Sequence, residues 1–301
     1  GIVFVMFYAF SIHYMLPVVF FGGAILLSVL TSALSKKVKV IQKNIVSETN
    51  ALAGSTTESL RNIELVKSLG LTGQEIGRLN NNTYKILALE LKKYTSNIRL
   101  VSRNPKKVNE TDELLPIDVS DLTQIEKAID GSEVVYVVIG FEYKLRVWQN
   151  TWPAFLAETI RACKKHHSKL VFFDNVYMYD QSAIPFMTES APIHAPSKKG
   201  KVRQQLHEMI IREVENNSLN ALIARAADFY GPDNKSSALN MMVIDKFMQG
   251  KKAQAFGDIH KLHTYTYTPD AAKATALLGN TSDAYNQVWH VPTTKEKLTN
   301  L

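Results

Sequence analysis

A single cysteine, Cys163, stands among 301 residues. One thiol cannot build a disulfide framework or a cysteine-based zinc site, and it suits a reducing compartment. Charge is missing from the first 35 residues, which contain no Asp, Glu, Lys or Arg. No G-x-x-x-x-G-K-S/T phosphate loop occurs anywhere in the chain. Without it the usual means of holding nucleotide phosphates and magnesium for ATP hydrolysis is excluded. Basic residues are not interleaved with aromatics in any patch, so the net charge of +7 does not read as a nucleic-acid surface. Residues 1–95 hold 10 Lys and Arg against 5 acidic residues, which leaves only +2 for the remaining 206.

What is present first is an apolar run, Met15 to Leu34, 20 residues without a charge. That length crosses about 30 Å of hydrocarbon. It lacks a basic start and exceeds the apolar core of a signal peptide, so a membrane span is the expectation. Lys36, Lys37, Lys39 and Lys43 follow it, which predicts that this end faces the cytoplasm. Helical periodicity then runs from about Lys36 to Lys93. Its most distinctive part is ALAGSTTESLRNIELVKSLGLTGQEIGRL, Ala51 to Leu79. Residues 1 to about 93 resemble the transmembrane domain of ABC exporters. In that family a pattern like Glu58 to Gly70 lies near the helix that docks on an ATPase domain, so a separate ATPase subunit is the partner this part would need.

Gly70, Gly73 and Gly77 come close to a dinucleotide-binding glycine loop. Their G-x-x-G-x-x-x-G spacing is one residue too long, and Glu64 and Lys67 interrupt the segment where a buried parallel strand would be nearly all apolar. The segment reads as a decoy.

From Tyr94 the pattern changes to strands alternating with helices, the order of a parallel α/β sheet. Ile98 to Ser102 reads as a strand and Ser120 to Ile129 as a helix. VVYVVIG forms a buried strand ending at Gly140, and KLRVWQNTWPAFLAETIRACKKHH, Lys144 to His167, reads as a helix. KLVFFDNVYMYD contains the next strand, LNALIARAADFYGP another, and HTYTYTPDAAKATALL a strand entering a helix with Asp270 as its expected cap. In this order the segments resemble the NAD(P)-dependent epimerase/dehydratase family, an atypical extended branch of the short-chain dehydrogenases, from about Asn97 to Thr294. The expected fold is a Rossmann-like α/β sheet that lacks its first strand and glycine-rich loop, with residues 1–94 and 95–301 as separate parts.

The resemblance implies roles for particular residues. Arg103 would lie beside the adenosine ribose, where a guanidinium pairs with a 2′-phosphate and favours NADP over NAD. Asp118 and Val119 would follow the adenine, and Gly140 would let the backbone approach the nicotinamide ribose. A solvated turn arginine and a plain strand-end cap are the competing readings of Arg103 and Asp118. Asn175 stands where active members carry Ser or Thr. The tyrosine of the family's Y-x-x-x-K motif is absent; Lys199-x-x-x-Arg203 keeps the spacing, either as acid–base groups or as a solvated basic helix start. Tyr177 and Tyr179 are the nearest other proton donors, or packed loop aromatics. Arg225 and Tyr230 match the region that helps form the substrate pocket, with core packing as the competitor for Tyr230. His260 and His263 lack carboxylate partners at metal-ligand spacing, so no metal site is expected.

The chain therefore reads as a chimera of two truncated parents. The expected activity is that of an NAD(P)-dependent oxidoreductase or epimerase on a carbonyl or sugar-type small molecule. Cofactor binding is expected to be weak, because the loop that holds the pyrophosphate is lost. A non-catalytic NADPH-sensing module and an exporter fragment are the alternatives. The α/β part is expected at the cytoplasmic face of a membrane held through residues 15–34, or in the cytoplasm without that span.

Overall fold

A computed structural model describes residues 83–301 apart from 185, 232–236, 238, 255–257, 295, 297, 300 and 301. The expected span, the exporter-like segment up to residue 82 and the Gly70 to Gly77 stretch lie outside the described residues. Among the described residues no helix is long and apolar enough to cross a membrane.

The strands, in chain order, are β1 (Arg99–Ser102), β2 (Glu113–Pro116), β3 (Val134–Val137) and β4 (Lys169–Asp174). They continue with β5 (Ala221–Arg225), β6 (Asp228–Tyr230), β7 (Tyr265–Tyr267) and β8 (Val288–His290). The helices are α1 (Thr83–Leu91), α2 (Ile125–Ile129), α3 (Leu145–His166), α4 (Lys198–Glu215), α5 (Asp245–Met248) and α6 (Thr268–Gly279). Among the described residues every pairing between these strands is parallel. β4 and β5 carry the near-continuous apolar runs that burial on both faces requires, and all five residues of β5 are buried.

Among the described residues the sheet is interrupted. β3, β4, β5 and β8 form one sheet in that order, while β1 and β2 form another. Among the described residues no strand pairs with the remaining edge of β1 or of β3, which is where the first strand of the expected sheet would lie. β6 and β7 form a third small sheet.

α3 and α4 pack together over one face of the main sheet. Trp152, Leu156, Phe172, Leu206 and Ile210 are fully buried there, each contributing roughly 1.5–3 kcal/mol by leaving water. α3 ends at His167, a left-handed residue at φ 55°, with Lys164, Lys165 and His166 in its last turn opposing the negative end of the helix. Burial in this core pushes the Cys163 thiol up to about 12, so it behaves as an inert apolar group.

Three local expectations change. The helix expected over 120–129 is a 3-10 turn, Leu122–Gln124, followed by the short α2. Asp121 caps the turn by accepting from the Thr123 N–H at 3.1 Å. Asp270 is not the cap of α6: Tyr267 holds that position and Pro269 enters the first turn, leaving Asp270 beside the positive helix end. Finally, α1 is counted in sequence with the exporter-like part, yet Leu87, Ala88 and Leu91 join Ile98, Leu100, Ala272 and Ala276 in one core cluster. By its packing, α1 belongs to the α/β part.

Candidate active site

Strand order decides where chemistry sits. In an open parallel sheet the loops at the carboxyl ends of the strands surround the binding crevice. Ser102 ends β1, and Asp118 and Gly140 follow the ends of β2 and β3. With the interrupted sheet they open on a cavity of about 1430 Å³, against about 300–1,000 Å³ for ordinary ligand pockets. Arg103, Asp118, Val119 and Gly140, the four expected cofactor residues, all line it. Ile98 to Ser102 and Val134 to Val137 line it too, so the crevice is continuous with the slot between β1 and β3.

Asp118 makes a local turn: its Oδ1 accepts from the Ser120 N–H at 3.0 Å and the Ser120 hydroxyl at 2.7 Å. These hydrogen bonds, and then the charge of Arg103, hold its carboxyl below the usual range. Arg103 is exposed at the cavity edge. A cation and an ionised carboxylate thus flank the cavity mouth, a donor set that fits the ribose and phosphate of a nucleotide.

A second group surrounds the end of β4 and the start of α4. Asn175 Oδ1 accepts from the Tyr177 N–H at 3.0 Å, which forms a turn and leaves the side-chain amide to donate. Ser197 caps α4 by accepting from the Gly200 N–H at 3.0 Å. A Cβ built on Gly200 would stand 2.3 Å from the Tyr177 carbonyl oxygen, so only glycine lets α4 start this close to the Asn175 turn. Lys199 then reaches across: its Nζ donates to the Tyr143 carbonyl oxygen at 3.0 Å and lies 3.0 Å from the centre of the Tyr143 ring. Burial pushes this ammonium down to about 8.

The other expected site residues face inward. Arg203 Nη1 lies 3.3 Å from Asp174 Oδ1, and its Cζ stands 4.2 Å and 4.6 Å from the Trp152 and Trp148 rings. Arg225 is 1 % exposed; Nη2 donates to His207 Nδ1 at 3.0 Å and its Cζ lies 4.7 Å from the Tyr179 ring. Because arginine only donates, His207 Nδ1 must accept and the ring is neutral. Burial, then the Arg225 charge, brings His207 down to about 4. Tyr179 is 3 % exposed and its hydroxyl bonds His290 Nε2 at 2.7 Å. Tyr230 is half-buried, its ring 5.3 Å from that of Tyr267. None of these four lines the large cavity.

Sequence reasoning missed Tyr143 and the pair His263 Nε2–Asp228 Oδ2 at 2.8 Å. It also missed the buried Asp174, whose only signal was a carboxylate at the end of the apolar run LVFF. Among the described residues no group of three or more His, Cys, Asp or Glu could hold a metal ion.

Comparisons with known proteins agree with this layout. Among solved structures, UDP-glucuronic acid 4-epimerase from Bacillus cereus in complex with NAD matches with a TM-score of 0.63 and 15% identity, covering 73% of this chain and 77% of that one. UDP-glucose 4-epimerase of Thermus thermophilus in complex with NAD gives 0.61 and 15%, with 74% and 78% covered. UDP-N-acetylglucosamine 4-epimerase from Methanobrevibacter ruminantium gives 0.59 and 16%, with 70% and 74% covered. At these identities the likeness shows the fold, a parallel Rossmann-like α/β sheet. No curated protein matches the chain. Residues 1–103 match the ABC transporter transmembrane region. Residues 70–291 match the NAD dependent epimerase/dehydratase family, so the two matches overlap over residues 70–103 and the second takes in the Gly70 to Gly77 segment. By that match over most of its length, the chain belongs to the NAD dependent epimerase/dehydratase family.

Proposed function

We propose that the α/β part of this chain binds a nicotinamide dinucleotide, NADP in preference to NAD, and acts on a carbonyl or sugar-type small molecule. The observation that carries this is the cavity lined together by Arg103, Asp118, Val119 and Gly140. Arg103 would pair with a 2′-phosphate, Asp118 and Val119 would border the adenosine, and Gly140 would admit the backbone to the nicotinamide ribose. When bound, the dinucleotide supplies or accepts a hydride. Asn175 offers an amide N–H to a substrate oxygen, and Lys199 offers a cation of depressed pKa beside it. Tyr179, Arg203 and Arg225 orient the site from below rather than touch substrate, because each is enclosed and partnered in the core.

Nucleotide sugars are the substrates named for the structural neighbours, and a sugar-type substrate is the class we favour here. Binding of the dinucleotide is proposed to be weak, since no regular glycine loop is present in the sequence. The reading as an NADPH-binding module without turnover is favoured by the enclosure of Tyr179 and Arg203.

The overlap of the two family matches supports a chimera whose joint lies within residues 70–103. On that reading residues 15–34 hold the α/β part at the cytoplasmic face of a membrane. The full chain, titrated with NADPH and NADH alongside Arg103→Ala, tests the function. Selective weakening of NADPH binding in the variant is expected, and equal affinity of both proteins for NADPH would count against it.

A further inference from the structure

The ends of β4 and β5 and one face of α4 enclose more positive than negative charge. Asp174 and Arg225 are register partners across the two strands, so their side chains leave the sheet on the same side. Arg203 and His207 stand four residues apart on α4, on the helix face that meets them. Each strand residue meets one helix residue. Asp174 Oδ1 lies 3.3 Å from Arg203 Nη1, and Arg225 Nη2 donates to His207 Nδ1 at 3.0 Å. The four residues close a ring, and aromatic groups wall it off: Trp148 and Trp152 cover Arg203, and Tyr179 covers Arg225. Asp174, Arg203 and Arg225 are 4%, 6% and 1% exposed.

The charges in this ring do not balance. The guanidinium groups of Arg203 and Arg225 face the single carboxylate of Asp174, and the groups around them add no negative charge. His207 is neutral, because its Nδ1 accepts. Burial keeps the neighbouring Tyr177, Tyr179 and His290 uncharged. Glu189, which accepts from the His290 N–H at 3.0 Å, is itself exposed to solvent. Hydrogen bonding is lopsided in the same sense. Among the described residues Nε and Nη1 of both arginines find no hydrogen-bond partner, nor do Nε1 of Trp148 and of Trp152, whereas Asp174 Oδ2 is the one acceptor of the ring left over. Water could accept from these donors, yet it would leave the surplus charge uncompensated, and a buried charge without a counter-charge is strongly unfavourable.

We infer that a small monovalent anion binds between Arg203 and Arg225, accepting from their unpartnered N–H groups and balancing the surplus charge. The enclosure admits only a small ion, and chloride is the one that cells supply. The anion ties α4 to the ends of β4 and β5. Asn175 directly follows Asp174, and Lys199 lies one turn before Arg203 on α4, so the same ion steadies both of these candidate site residues. The inference is independent of the function proposed above.

The test uses the full chain in detergent, with sodium chloride replacing sodium gluconate at constant ionic strength and the thermal unfolding midpoint as readout. An ion that binds the folded chain alone raises the midpoint along a saturating curve. A rise of a few degrees that levels off is expected for chloride, and for bromide, which is close to it in size. Arg225→Met removes half of the donors and the surplus charge, and should abolish the response. Asp174→Asn keeps the shape of the carboxylate and removes its charge, so the half-saturating chloride concentration should fall roughly tenfold or more. A wild-type midpoint that ignores chloride, or drifts with it without levelling off, would overturn the inference, as would a saturating response retained in Arg225→Met. Should Arg225→Met fail to fold, the Asp174→Asn comparison decides, and a half-saturating concentration that stays the same or rises would overturn the inference too.

Discussion

Arg203 and Asp174 meet at 3.3 Å in the core, with side chains 7% and 0% exposed, and the guanidinium packs against the faces of Trp148 and Trp152. Burial raises the Asp174 carboxyl despite both Arg203 and Arg225, and it lowers Arg203, so each charge depends on its partner. Among the described residues Asp174 Oδ2 and Arg203 Nε find no hydrogen-bond partner, which marks the pair as costly to bury. Asp174→Ala alone should therefore cost about 3–5 kcal/mol by leaving an unpaired guanidinium. The double variant Asp174→Leu with Arg203→Met should recover most of that. Urea unfolding of the three proteins decides it, and a double variant no more stable than Asp174→Ala would show that the pair does not couple.

The start of α4 depends on one missing methyl group. Gly200→Ala places a Cβ 2.3 Å from the Tyr177 backbone carbonyl, which has no flexible end to swing away. A loss of about 1–3 kcal/mol is expected from such overpacking. The same change displaces Lys199 from Tyr143. Thermal unfolding should show the drop, and an unchanged midpoint would mean that the helix start is looser than its contacts indicate.

His207 provides the pH dependence. Its folded value of about 4 lies below the usual 6.5, so the unfolded chain binds the proton more readily. Stability is then complete above about 6.5, falls as pH drops towards about 4, and levels off below it. His290, lowered first by burial, adds to the slope in the same direction. His207→Gln should flatten, though not abolish, the fall in urea midpoint across this window. An unaltered slope would place the acid sensitivity elsewhere.

Lys199 should be chemically distinct from the other lysines. An amine brought down to about 8 by burial carries much more free base at pH 8 than one near 10.5. Limited acetylation at that pH, read by peptide mass spectrometry, should label Lys199 ahead of exposed lysines such as Lys198 and Lys201. Labelling spread evenly over all three would contradict the depressed value.

Much of the fold could be read from residue pattern. The apolar runs of β3, β4 and β5 and the amphipathic period of α3 mark elements whose burial is decided by their own composition. The allegiance of α1 was not legible, since Leu87, Ala88 and Leu91 make an ordinary apolar stripe whose partners, Ile98 and Leu100 around β1 and Ala272 and Ala276 of α6, are set by the tertiary fold. LNALIARAADFYGP read as one strand with a turn, whereas Asp228 begins β6, which leaves the main sheet to pair with β7. At the site, Arg103, Asp118, Val119 and Gly140 converge because strand ends in chain order define one crevice. Arg203, Tyr179 and Arg225 turn inward for a reason that spacing does not encode: α4 lays its Arg203 and His207 face on the sheet. Tyr143 escaped notice because its partner is distant in sequence.

The most direct measurement is a fluorescence titration of the full chain in detergent with NADPH and with NADH. The account predicts saturable NADPH binding with a dissociation constant above the micromolar level, weaker binding of NADH, and loss of that preference in Arg103→Ala. Absence of saturable binding by either dinucleotide would contradict the proposed function. A dissociation constant for NADPH at or below the micromolar level would contradict the claim that the missing regular glycine loop weakens the site.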